Sequence, residues 1–179
     1  ERLRSPDRLE YFHPDKIWEI LKPAPDCTLI DIGAGVGFLT LPFAERYPQA
    51  KAYGCDIQEG MVALLREDAA RHGLVNLEAL LMAPNAVDLL NDCADLIVMG
   101  QLHHELDAPE PLLIECKRLL KPGGVVAIID WADADNGKSP PVGRRVPVAR
   151  MRAELESAGF TKIETHDVYE FHTFMSGKS

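Results

Sequence analysis

The sequence predicts a doubly wound α/β fold, a mostly parallel sheet with helices on both faces and an antiparallel hairpin at its end. Three observations predict it. Short apolar runs alternate with helical patterns between residues 28 and 131, as parallel strands do when helices join them. The first run, "TLIDI", leads directly into three glycines in "GAGVG" and then into a helical pattern. The chain closes with "TKIETHDVYEFHTFMS", whose polar–apolar alternation suits two antiparallel strands at the sheet's edge.

The elements follow in order. Residues 1–26 read as a polar arm and a short helix, "HPDKIWEIL", with Pro14 near its start and apolar Ile17, Trp18, Ile20 and Leu21 at helical spacing. "KPAPD" ends that helix. Residues 28–32 are a buried strand, followed by a helix through about Arg46 with Pro42 near its first turn, where a missing N–H costs little. A second strand covers 51–57, and a helix covers 59–73 with Gly73 as its stop. Residues 75–82 read as a third strand, 84–91 as a short helix, 94–100 as a fourth strand, 109–124 as a helix and 125–131 as a fifth strand. A Gly- and Pro-containing loop, 132–146, precedes a last helix that ends at Gly159.

Length and composition describe one ordinary globular domain, 1–179. No apolar run approaches the roughly 20 residues that span a membrane. The charged start "ERLRSPDRLE" is unlike a secretory signal, so a cytoplasmic location is expected. The net charge of −9 disfavours phosphate backbones as partners. One basic stretch, "GRRVPVARMR" at 143–152, runs against that charge and reads first as a solvated loop and helix face, second as an attractor of an anionic substrate. The cysteines at 27, 55, 93 and 116 are widely spaced and read as reduced, small buried hydrophobes. No metal site is expected, because no ligand cluster is visible.

In a doubly wound sheet the ligand sits at the carboxyl ends of the strands, beside strand one. Gly33, Gly35 and Gly37 follow that strand in a G-x-G-x-G pattern, one place tighter than the dinucleotide fingerprint, with Phe at position 38. Glycines at such a turn admit close backbone approach, but each carries an entropic cost. Asp56 ends strand two about 20 residues later, where an acid accepts hydrogen bonds from ribose hydroxyls. Neither a P-loop nor a G-x-S-x-G elbow is present. Together these features point to a nucleoside.

"LIDIGAGVGFLTLPFA", "YGCDIQEGMV" and "DLIVMGQLHHELDAPEPLLIECKRLLKPGGVVAIIDW" resemble the class I S-adenosylmethionine-dependent methyltransferases, in particular the small-molecule group that includes the ubiquinone and menaquinone C-methyltransferases. The resemblance implies a Rossmann-like seven-stranded sheet with an antiparallel C-terminal strand, and S-adenosylmethionine as cofactor, with S-adenosylhomocysteine as product. It places the turn Gly33, Ala34, Gly35 and Gly37 against the methionine part and Asp31 toward its amino group. Asp56 would take the ribose hydroxyls, Ile57 would lie on the adenine, and Gly100 and Gln101 would line the sulfonium end. Relatives often carry an acid after strand three for the adenine amino group. Here Met82 and Ala83 stand there, so their backbone groups are the candidates and Asp88 the lesser substitute.

Methyl transfer to a small acceptor needs chiefly in-line placement of the nucleophile, and a base only where a proton must leave. His103 and His104 are the base candidates, with capping and packing of the turn as their favoured role. Tyr11 and Trp131 are candidates for an aromatic wall or lid, and ordinary packing is as good an account of each. Two other functions fit less well: a cofactor-binding protein without turnover, and a nicotinamide-dependent oxidoreductase, which the glycine spacing disfavours. The tetrad typical of base N-methylation is absent, since strand four runs into "GQLH". A small-molecule acceptor, with the arm and the 132–146 loop around it, is therefore expected, and no nucleic acid.

Overall fold

The computed structural model describes residues 7–132, 137 and 139–179. Five strands are parallel neighbours or flank the centre: β1 (Thr28–Ile32), β2 (Lys51–Asp56), β3 (Leu77–Leu81), β4 (Ala94–Gly100) and β5 (Leu120–Trp131). Two more, β6 (Thr161–His166) and β7 (His172–Lys178), complete a seven-stranded sheet of order β3-β2-β1-β4-β5-β7-β6. β7 runs antiparallel to both β5 and β6, so the last strand inserts between them and β6 forms the edge opposite β3. The strand order reverses between β1 and β4, which opens a crevice at their carboxyl ends.

Side chains alternate between two cores, as the two-residue period of a doubly covered sheet requires. Ile30, Ile97, Met99 and Ile128 face one core, closed by α5 (Glu110–Leu119) and α6 (Val148–Ser157) through Leu112, Cys116, Met151 and Leu155. Leu29, Leu96, Val98 and Ile129 face the other, closed by α2 (Asp15–Leu21) and α3 (Thr40–Arg46) through Ile17, Trp18 and Phe43. α4 (Glu59–Arg71) packs Val62 and Leu65 beside Ala34 and Ala79. Gly54 makes this possible, since a Cβ there would lie 2.3 Å from Leu65 Cδ2. The arm adds a short helix, α1 (Asp7–Tyr11), whose following residue, Phe12, is fully buried.

Two expected elements differ. Residues 84–91 form no helix. Pro84 and Asn85 make a turn closed by Ala83 and Ala86, and the segment is tied down from α5. There Glu115 accepts the Val87 N–H at 2.8 Å, and Arg118 donates to the Val87 and Leu89 carbonyls. Tertiary partners thus replace the helix's own hydrogen bonds. The helix expected over 109–124 ends at Leu119, and "LKPGG" enters β5. Pro122 explains this, because a residue before proline leaves the helical region and proline itself has no N–H to donate.

Candidate active site

The glycine turn is a rigid cradle at the end of β1. Gly33 and Ala34 donate their N–H groups to the Cys55 carbonyl at 2.8 and 3.0 Å, which ties the turn to β2. Gly33, Gly35 and Gly37 have φ of +73°, +54° and +84°, a region that side chains rarely enter. Asp56 fixes the turn from the other side. One carboxylate oxygen accepts the Gly35 N–H at 2.8 Å and the other accepts the Gln58 N–H at 2.9 Å, at the start of α4. Each oxygen keeps a further lone pair for a ligand hydroxyl.

Asp31 lies deeper. Its carboxylate accepts the Thr40 hydroxyl at 2.6 Å. Burial raises it to about 7, against the pull of the Thr40 hydrogen bond and the Arg8 charge. Arg8 enters from α1 and is 8% exposed. Its Nη2 donates to Gln101 Oε1 at 2.6 Å, and its guanidinium carbon stands 3.9 Å from the centre of the Phe38 ring. Burial lowers Arg8 to about 10, which leaves it cationic at neutral pH, and its Nε has no partner among the described residues. Arg8, Asp31, the glycine turn, Asp56, Gln58 and Met61 surround a cavity of about 260 Å³, closed by Gly100 and Gln101.

Gln101 stands at the junction with a second chamber. Its φ is +55°, a strained value for a residue with a side chain. The strain is held by its N–H on the Ile129 carbonyl at 2.7 Å and by its side chain, which bridges Arg8 and His172 Nε2 at 2.6 and 2.7 Å. Burial lowers His172 to about 4, so the ring is neutral and its Nε2 accepts from the Gln101 amide. The chamber beyond, about 450 Å³, is lined by Tyr11, His104, Glu105, Trp131, Pro140, Pro141 and Arg144, and shares Arg8, Gln101 and Glu105 with the first cavity. Tyr11 and Trp131 stack at 5.9 Å with 28° between their planes, which builds an aromatic wall from the arm and the end of β5.

The histidine pair divides. His103 turns into the fold, 2% exposed, with Nε2 2.7 Å from a Glu154 oxygen on α6, and lines neither cavity. His104 faces the chamber. Its N–H donates to Asp130 at 2.8 Å, and its Nδ1 lies 2.7 Å from the other Asp130 oxygen, which also accepts the Trp131 N–H at 2.7 Å. Its Nε2 lies 3.0 Å from Glu105, which is also ion-paired with Arg144. Burial pulls His104 down, but the hydrogen bond and charge of the fully buried Asp130 outweigh it and leave the ring above its usual value.

Residues 29–124, more than half of the chain, match the family model of the methyltransferase domain. A solved structure of an S-adenosylmethionine-dependent methyltransferase from Aquifex aeolicus is 32% identical, with a TM-score of 0.92, over 99% of this chain and 95% of that one. This chain belongs to the class I S-adenosylmethionine-dependent methyltransferases. Among curated proteins it is similar to the malonyl-[acyl-carrier protein] O-methyltransferase of Methylococcus capsulatus, 28% identical over 78% of this chain and 54% of that protein. The ubiquinone/menaquinone biosynthesis C-methyltransferase of Cereibacter sphaeroides is 25% identical over 68% of this chain and 49% of that protein. The chain thus spans about half the length of these two curated relatives.

The family's cofactor is S-adenosylmethionine, and the first cavity suits it. The orphaned Nε of buried Arg8, the free lone pairs of Asp56 and the turn from Gly33 to Val36 offer an anion site, a diol site and a backbone floor in one space. In this methyltransferase fold the expected Asp31, Gly33, Ala34, Gly35, Asp56, Gly100 and Gln101 all line that cavity. Gly37 shapes the turn from behind, where a Cβ would lie 2.4 Å from Leu65 Cδ1. Ile57 stands at the rim, 57% exposed. Met82 and Ala83 line neither cavity, and their N–H groups are bonded within the fold, to the Asp56 and Ala86 carbonyls at 3.0 Å each. Only their carbonyls remain for an adenine. Sequence patterns singled out none of Arg8, Thr40, Gln58, Met61, Asp130 and His172, and Arg144 only as part of the basic stretch 143–152. Asp130 was the most accessible of these, as an acid inside an apolar strand.

Among the described residues no group of three His, Cys, Asp or Glu side chains is placed to hold a metal ion, and no helix is long and apolar enough to cross a membrane. Cys27, Cys55 and Cys116 are buried free thiols and Cys93 is half-buried. Of the basic stretch, Arg144 reaches the chamber, while Arg150 pairs with Glu154 and Arg152 donates to the Ile163 carbonyl. Residues 1–6 of the arm, and 133–136 and 138 of the loop, lie outside the described residues.

Proposed function

We propose that this chain catalyses transfer of the S-adenosylmethionine methyl group to a small-molecule acceptor, by in-line displacement. One observation carries the proposal: the cavity at the glycine turn and a second, aromatic chamber meet at Gln101, with Arg8 and Glu105 lining both. The cofactor supplies a methyl group on a cationic sulfur. The protein's part is positioning, which contributes several kcal/mol to such displacements and up to about 7–11 kcal/mol in model systems.

In this proposal Asp56 takes the ribose hydroxyls and keeps the glycine turn fixed against β2. Asp31 answers the amino group and Arg8 the carboxylate of the cofactor's methionine part. Ile57 covers the adenine at the rim. The strained Gln101 backbone holds the boundary between cofactor and acceptor. The arm and the 132–146 loop form the acceptor's walls through Tyr11, Pro140 and Pro141. The chamber's size and the net charge of −9 favour a small molecule over a nucleic acid.

Calorimetry with S-adenosylmethionine and S-adenosylhomocysteine tests the cofactor half, with one-to-one binding of both expected. Incubation with methyl-labelled cofactor and phenols, carboxylic acids, amines or thiols tests the acceptor half. Label in a small product is expected. Label in RNA and in no small product would contradict the proposal.

A further inference from the structure

We infer that His104, held by Asp130, is the general base of the chamber and that the acceptor is a hydroxylated aromatic molecule of the phenol class. The inference rests on the methyltransferase reading above. The geometry is that of a base with an orienting acid behind it. Asp130 binds both the backbone N–H and Nδ1 of His104, so the ring has one fixed orientation, and Nε2, beside Glu105 on the chamber lining, is the nitrogen left for an acceptor. Asp130 is itself fully buried and anchored by the Trp131 N–H.

The groups around the ring select the acceptor. Asp130 on β5 and Glu105 on its own turn favour the protonated ring, while Arg144 of the loop opposes it. Arg8 of α1 lines the same chamber, and His172 of β7 is neutral. A carboxylate has no proton to lose and would not need this base. An ammonium would also have to lose a proton before it could attack, and Glu105, the carboxylate on the chamber lining, is already paired with Arg144. A phenol suits the stacked Tyr11 and Trp131, and the proton it must lose suits a base held by Asp130.

The step balances. The phenol O–H proton passes to His104 Nε2 as an oxygen lone pair forms the O–C bond. The C–S bond breaks, and its electron pair stays on sulfur. The imidazolium is stabilised by Asp130 until the proton leaves to solvent. Glu105 gives up Nε2 to the acceptor and keeps its ion pair with Arg144.

The test compares wild type, His104→Gln and Asp130→Asn with catechol and with the more acidic 4-nitrophenol. Wild type should methylate catechol, with kcat rising through an inflection above about 6.5, the usual imidazole value. His104→Gln should lose at least 100-fold in kcat on catechol, with KM within threefold, and far less on 4-nitrophenol, whose proton leaves readily. Asp130→Asn should move the inflection down. If burial of that site prevents folding, His104→Gln decides alone. A readout free of turnover is the visible band of 4-nitrophenolate, expected to be stronger in the wild-type S-adenosylhomocysteine complex than in that of His104→Gln at the same pH. Benzoate methylated in place of the phenols, no phenol methylated by a protein that binds S-adenosylhomocysteine, or a catechol kcat in His104→Gln within threefold of wild type would overturn the inference. Failure of wild type to bind S-adenosylhomocysteine would instead fail the methyltransferase reading.

Discussion

The Asp56 carboxylate accepts the backbone N–H of Gly35 at 2.8 Å, across 21 positions of sequence. The strand-two acid and the glycine turn are therefore one unit, and the same carboxylate that would bind ribose also shapes the floor beneath it. Asp56→Ala removes both functions. It should weaken S-adenosylhomocysteine binding by more than tenfold, about 1.4 kcal/mol, from lost hydrogen bonds. Calorimetry checks this, and wild-type affinity in the variant would remove Asp56 from the site.

Gly37 tests the turn apart from any ligand. Alanine there combines φ of +84° with a Cβ 2.4 Å from Leu65. Left-handed strain and overpacking each cost on the order of 1–3 kcal/mol. Gly37→Ala should lower the thermal midpoint by several degrees without any ligand. An unchanged midpoint would mean that the turn relaxes freely.

Arg8 carries the arm's contribution. Arg8→Ala should cost cofactor affinity tenfold or more, while Arg8→Lys should recover only part of it, because lysine lacks the planar fork that reaches Gln101 and stacks on Phe38. Equal affinity in all three proteins would assign Arg8 to packing alone.

Asp31 gives the pH dependence a sign. Burial raises its folded value to about 7, above that of an exposed aspartate. The folded state therefore holds a proton that the unfolded chain has lost, and the ligand-free protein should lose stability as pH rises from about 4 to 7 through this group. Asp31→Asn should flatten that slope in denaturant titrations at several pH values. A cationic ligand beside Asp31 should also expel its proton. Near pH 7, calorimetry in buffers of different ionisation enthalpy should then show release of a fraction of a proton on cofactor binding. Proton uptake would contradict the placement of the amino group at Asp31.

What the sequence made legible follows from range. β1, the glycine turn, Asp56 and α4 are written in local runs of the sequence, and each appeared where expected. The 84–91 helix failed because Val87 and Leu89 find partners on α5, about 30 positions away. Arg8 was illegible for the same reason, since its partner Gln101 lies 93 positions on. The histidine pair could not be resolved locally, because Asp130 draws His104 to the chamber while Glu154 draws His103 into the core. Composition spoke only against a nucleic acid and not to the acceptor's chemistry, because its chamber joins the arm, the turn after β4, the end of β5 and the 132–146 loop.

The most direct measurement is thermal unfolding of the wild-type protein with S-adenosylmethionine, S-adenosylhomocysteine and NAD in turn, since a ligand that binds only the folded state raises the midpoint. A rise with the first two and none with NAD is the predicted result. A rise with NAD alone, or with none of the three, would contradict the assignment of the cavity between Arg8 and Asp56 to this cofactor.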